Sequence, residues 1–167
     1  MRTLLLSLLL IATGCSAPRG LDEKPMNLTA AERGRIEAKV DAARDPRIGD
    51  WTGAWNQAVD AGLGQNVFEG IALDALEDDA GVATEMLEAL IKKHGGLTPE
   101  ARARVDRLSD EAAARGDWAR ALEIQLAAAE DPPTFSAAWE LYAKAPPDEG
   151  AALLATLREA REKAEGR

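Results

Sequence analysis

The chain is predicted to be all-α, folded as antiparallel helical hairpins with about eight helices. Three observations carry that expectation. Alanine, leucine, glutamate and arginine dominate the 167 residues, β-branched residues are sparse and aromatics make up only 4%; the dominant four are strong helix formers. Apolar residues recur at i, i+3, i+4 and i+7 in several segments, as in Phe68, Ile71, Ala72, Ala75 and Leu76, which is the period of one buried helical face. Glycines and prolines then cut these segments into pieces joined by short turns, which force neighbouring helices to run antiparallel.

Taken in order, Thr29 with Glu32 forms a capping box that opens a helix to about Arg44, where Asp45-Pro46 breaks it. Asp50 caps a helix through Trp51, Trp55 and Val59 that ends at Gly62-Leu63-Gly64. The Phe68 to Leu76 face follows. Glu77-Asp78-Asp79 separates it from a helix bearing Val82, Met86, Leu87, Leu90 and Ile91, closed by Gly95-Gly96. Thr98-Pro99-Glu100 supplies an N-cap, a proline at the first helical position and an acid in the first turn. That helix carries Val105 and Leu108 to about Arg115. Gly116 turns the chain into a helix from Trp118 to Glu130, stopped by Pro132-Pro133. Phe135, Ala138, Trp139 and Tyr142 line the next, up to Pro146-Pro147. Leu153, Leu154 and Leu157 lie on the last, whose charged end from Arg158 to Arg167 is expected to fray.

The amino terminus is different in kind. Arg2 precedes an apolar run from Leu4 to Ala12, and a small residue, Gly14, stands before Cys15, the single cysteine. A charged start, about ten apolar residues and a small-residue exit describe a secretory signal peptide. A membrane-spanning helix needs roughly 17–25 apolar residues, more than this run offers. The sequence Ile11-Ala12-Thr13-Gly14-Cys15 resembles the lipobox of bacterial lipoproteins. The resemblance implies cleavage before Cys15, lipid on its thiol and, usually, an acyl group on its new amino terminus. It implies an extracytoplasmic location on a membrane. Ser16 stands where that family's inner-membrane retention signal has aspartate, which favours the periplasmic face of the outer membrane in a Gram-negative cell. The expected organisation is a signal peptide over 1–14, a lipidated cysteine and flexible tether over 15–28, and a helical domain over 29–167. Ser16 to Asn27, with Pro18, Gly20 and Pro25, would reach roughly 40 Å fully extended.

Without residues 1–14 the chain keeps 153 residues, enough for one domain with a core. The full chain has net charge −9; without Arg2, 19 basic residues face 29 acidic ones, for −10. Such a surface is repelled by nucleic acid and anionic lipid, so membrane attachment is expected to rest on the lipid of Cys15 alone.

Chemistry-bearing patterns are few. His94 is the single histidine, so a His-rich metal site or a catalytic triad has little to build from. It follows Lys92-Lys93 and precedes Gly95, where a cation suits a helix C-terminus. Glu77-Asp78-Asp79 lacks the alternating ligands and glycine turn of a calcium loop and reads as a solvated turn with a capping aspartate. No metal or cofactor is expected. Trp51 and Trp55, spaced i, i+4, share one face. That face is either core or an exposed aromatic anchor for a protein partner, since tryptophan is enriched at binding hot spots. Trp118 and Trp139 are expected in the core.

Gly49-Asp50-Trp51 recurs as Gly116-Asp117-Trp118, 67 residues on, with Ala54 and Ala61 matched by Ala121 and Ala128. With Leu108 and Pro133, the second copy resembles a tetratricopeptide repeat, whose unit is about 34 residues; the intervening unit near Ala83 lacks the pattern. The run Asp117 to Ile124, with Trp139 further on, is also similar to the small helical domain shared by the steroid receptor RNA activator and the vesicle outer-coat subunit. Gln125 replaces that family's histidine, and its later basic segment is missing. Both resemblances imply helical hairpins that bind protein, without catalysis. The functional expectation is a membrane-anchored, non-catalytic interaction or scaffold module. The alternative is a cell-envelope hydrolase working through a carboxylate pair.

Overall fold

The computed structural model describes residues 18–21, 26–45, 47–78 and 80–166, which hold eight helices and no strand. The helices are α1 (Ala30–Ala43), α2 (Trp51–Ala61), α3 (Gln65–Asp78), α4 (Ala80–His94), α5 (Pro99–Ala114), α6 (Trp118–Ala127), α7 (Ser136–Lys144) and α8 (Gly150–Ala164).

Side-chain caps open four of the eight helices, α1, α2, α5 and α6. Thr29 Oγ1 accepts from Glu32 N at 3.3 Å while Glu32 Oε2 accepts from Thr29 N at 2.8 Å, a complete capping box. The Thr29 hydroxyl, donating to Glu32 Oε2 at 2.7 Å, and then the Thr29 N–H hold the Glu32 carboxyl below its usual range. Thr98 caps α5 by accepting from Ala101 N. The recurrent Gly-Asp-Trp segments adopt one conformation. Gly49 and Gly116 have φ of 62° and 81°, a left-handed backbone that suits glycine. Asp50 and Asp117 then cap α2 and α6 by accepting from Gly53 N and Arg120 N. Each segment therefore opens the second helix of a hairpin.

Helices pair in sequence, α1 with α2, α3 with α4, α5 with α6, α7 with α8. The hairpins then stack: α3 lies on α5, while α4, α6 and α8 form a second row with α6 in the middle. One continuous apolar core runs between the rows, including Trp55, Ile71, Leu76, Leu87, Leu90, Leu122 and Leu157. Polar clamps hold the stack across long sequence separations. Asp74 of α3 accepts from Arg44 at 2.6 Å and from Arg104 of α5 at 2.7 Å. The buried carboxylate of Glu69 accepts from Thr98 N and Oγ1 at 2.7 and 2.6 Å and from Gln65 Nε2 at 2.9 Å, so it is fully partnered.

Ala54, Ala61, Ala121 and Ala128 are all completely buried. At Ala121 the approach is close enough for the buried Ser109 hydroxyl of α5 to donate to the Ala121 carbonyl at 3.1 Å. Ala121→Leu is expected to overpack this α5–α6 contact and cost about 1–3 kcal/mol. A thermal melt unchanged within error would refute the close approach.

Two expectations about the ends are corrected. The segment before α1 is not wholly a free tether: Arg19 N donates to Asn56 Oδ1 at 2.9 Å, Arg19 pairs with Asp60 at 2.6 Å, and the Arg19 carbonyl accepts from Trp55 Nε1 at 2.8 Å. Leu21 is buried, its carbonyl accepts from Lys93, and Met26 N donates to Asp60 O. Polar partners on α2 and α4 hold it, which composition alone does not reveal. At the other end α8 stays helical to Ala164 instead of fraying after Arg158, and Arg161 pairs with Glu165 at 2.9 Å.

Candidate functional site

A groove of about 880 Å³ lies over α6, walled by α4 on one side and α8 on the other. Small residues make it. Thr84 on α4, Ala119 and Ala127 on α6, and Thr156, Ala160 and Ala164 on α8 leave space that longer side chains would fill. Leu126 adds an apolar floor. Charges of both signs stand along it: Glu88, Glu123, Arg120 and Lys163.

Several of these polar groups are already engaged. Arg120 pairs with Glu123 at 2.5 Å and also donates to the Leu76 carbonyl, so it braces α6 against α3. Asp117 is the α6 cap. One end of the groove is shaped by the turn before α7. Phe135 is buried there in the left-handed region, φ 51° and ψ 47°, unusual for a bulky residue. Asp131 supports this turn by accepting from Ser136 N at 3.1 Å and Ser136 Oγ at 2.5 Å. The Ser136 hydroxyl holds the Asp131 carboxyl below its usual range.

Trp51 and Trp55 do not form an exposed anchor. They are 4% and 0% exposed, so of the two readings the pair takes the core one. Trp55 meets Phe68 edge to face at 4.9 Å, and Trp51 Nε1 donates to Asp78 Oδ2 at 3.0 Å. The expectation for the later pair is corrected in the opposite sense. Trp118 and Trp139 are half-buried at the margin of the core, Trp139 stacked edge to face on Tyr142 at 5.6 Å. Trp55 is closed by the Arg19 backbone and Trp51 by Asp78, whereas Trp139 sits at the margin beside Tyr142.

His94 is the exposed last residue of α4, where a helix C-terminus favours a cation. Of the acidic turn, Glu77 pairs with Arg104 at 2.5 Å and Asp78 serves Trp51, while Asp79 lies outside the described residues. No group of three metal-binding side chains comes together among the described residues. Cys15 and the 1–14 segment also lie outside them.

Sequence reading picks out Asp117, Pro132 and Phe135 for capping, helix termination and packing, and assigns none of the groove residues a binding role. The nearest signal was Thr156, Ala160 and Ala164, small residues at i, i+4 and i+8 on α8. Only packing against α6 turns that stripe into a wall. Compared with known protein families, curated proteins and solved structures, the chain finds no match.

Proposed function

We propose that this protein is a lipid-anchored, extracytoplasmic adaptor without catalytic activity. Cys15 carries the lipid, and the stacked hairpins hold an amphipathic helix of a protein partner in the groove over α6. The groove itself carries this reading. Its volume lies within the range of ligand-binding clefts, roughly 300–1,000 Å³. Its long walls are helices, its interior is small and apolar at Ala119, Leu126, Ala127 and Ala160, and its charges are mixed. A helix laying an apolar face into a groove needs that arrangement, with anchors at i, i+3 and i+4. The carboxylate-pair alternative fits less well, because Glu123 is bound by Arg120 and Asp117 is a cap.

The test fills the groove. Ala119→Glu combined with Ala160→Glu places bulk and charge inside it without removing core side chains. Recovery of the partner from detergent-solubilised envelope should fall at least about tenfold, while far-ultraviolet circular dichroism stays helical. Ala155→Glu, exposed on α8 away from the groove lining, serves as the matched control and should leave recovery intact. Undiminished recovery with the groove filled would reject this site.

A further inference from the structure

We infer that the helix seated in the groove over α6 is a basic one, with lysine or arginine flanking its apolar face. This rests on the reading of that groove as a docking site and names the chemistry of its occupant. Of the five charged residues that line the groove, Arg120 and Glu123 neutralise each other at 2.5 Å. The Arg120 guanidinium also donates to the Leu76 carbonyl, so it is committed to the fold. That leaves Glu88 on the α4 wall and Asp117 at the head of α6 against Lys163 on the α8 wall. All three are exposed, and neither acid is paired with a cation among the described residues.

The uncharged polar groups point the same way. Thr84 spends its hydroxyl proton on the Ala80 carbonyl at 2.7 Å, and Thr156 spends its own on the Ala152 carbonyl at 3.3 Å. A hydroxyl has one proton, so both threonines offer the groove acceptors only. The occupant must therefore bring donors and positive charge. A helix has used its own backbone N–H groups internally, so its side chains supply both. The residues one helical turn outside the lining do not reverse the balance. On the walls, Glu85 and Glu159 stand against Lys92 and Arg161, the last paired with Glu165 at 2.9 Å. At the ends of the floor, Arg115 stands against Glu130 and Asp131.

The acidic surface as a whole attracts cations without selecting a site, so the test separates the groove from that general field. Two fluorescent amphipathic helical peptides of equal length share a leucine face and differ only in lysine or glutamate flanks. Each is titrated into the full-length protein and followed by anisotropy at low salt. The lysine-flanked peptide should bind at least about tenfold more tightly. Glu88→Lys should weaken its binding at least about threefold, and Lys163→Glu should strengthen it by a like factor. Glu37→Lys makes the same charge change on the exposed face of α1, away from the groove, and should leave binding nearly unchanged. Equal weakening by Glu88→Lys and Glu37→Lys would overturn the inference. Ala160→Trp fills the groove without altering charge and should abolish binding while circular dichroism stays helical. A glutamate-flanked peptide that binds as tightly, and is lost on the same filling, would overturn the charge selection and leave the docking site standing. Failure of both peptides to bind, or binding that survives Ala160→Trp, would overturn both.

Discussion

Replacing Trp55 with alanine is expected to lower the stability of the fold by about 3–5 kcal/mol, the range for an aromatic side chain deleted from a closed core. Trp55 is fully buried, packs edge to face on Phe68 and satisfies its indole N–H on the Arg19 carbonyl. Its removal opens a cavity between α2 and α3 and also frees the strap that lies over α2. Domains of this size are stable by only about 5–15 kcal/mol, so the loss is a large share of the total. The melting midpoint should drop by roughly 10–20 °C. Trp139→Ala is the internal comparison: half-buried, it should cost clearly less. A Trp55 variant melting within about 2 °C of the parent would contradict the packing described for α2.

The second large effect concerns location. Cys15→Ser is expected to abolish membrane partition altogether. No helix among the described residues is long and apolar enough to cross a membrane. Residues 15–167 carry net charge −10, which anionic lipid repels. Anchoring through acyl chains is worth about 0.8 kcal/mol per buried CH₂, and two chains hold firmly where one does so only marginally. In the lipoprotein reading, removing the thiol takes away the site of acylation. The substituted protein should appear in the soluble fraction after a high-salt wash. Continued sedimentation with membranes would refute the lipoprotein reading. Measuring the melt of this variant alongside keeps the two predictions separate, since the helical domain should fold as before.

The outcome for the four tryptophans shows where sequence reasoning runs out. All four sit on apolar helical stripes, and i, i+4 spacing placed Trp51 and Trp55 together correctly. Spacing says which residues share a face, but not what covers that face. Trp55 is sealed by Arg19, 36 residues away, and Trp51 by Asp78, 27 residues away. Trp139 finds its ring partner only three residues on, in Tyr142, and stays partly exposed. The groove was hidden for the same reason. Its floor and two walls come from helices far apart in the chain, and no single one of them is distinctive.

The sequence by itself determined the helical class, the number of helices and nearly all of their boundaries. Those follow from contacts three or four residues long: Thr29 with Glu32, Asp50 with Gly53, Thr98 with Ala101, Asp117 with Arg120. Such bonds form wherever the local residues permit them, so they are legible in any window of the chain. Only the tertiary structure decided which faces were closed, that residues 18–21 strap onto α2, that α8 persists to Ala164, and that α4, α6 and α8 enclose a groove. Those outcomes depend on contacts dozens of residues apart, such as Arg120 with Leu76 and Lys93 with Leu21. Burial is a property of the assembled layers, because an apolar face has no partner until another helix is laid against it.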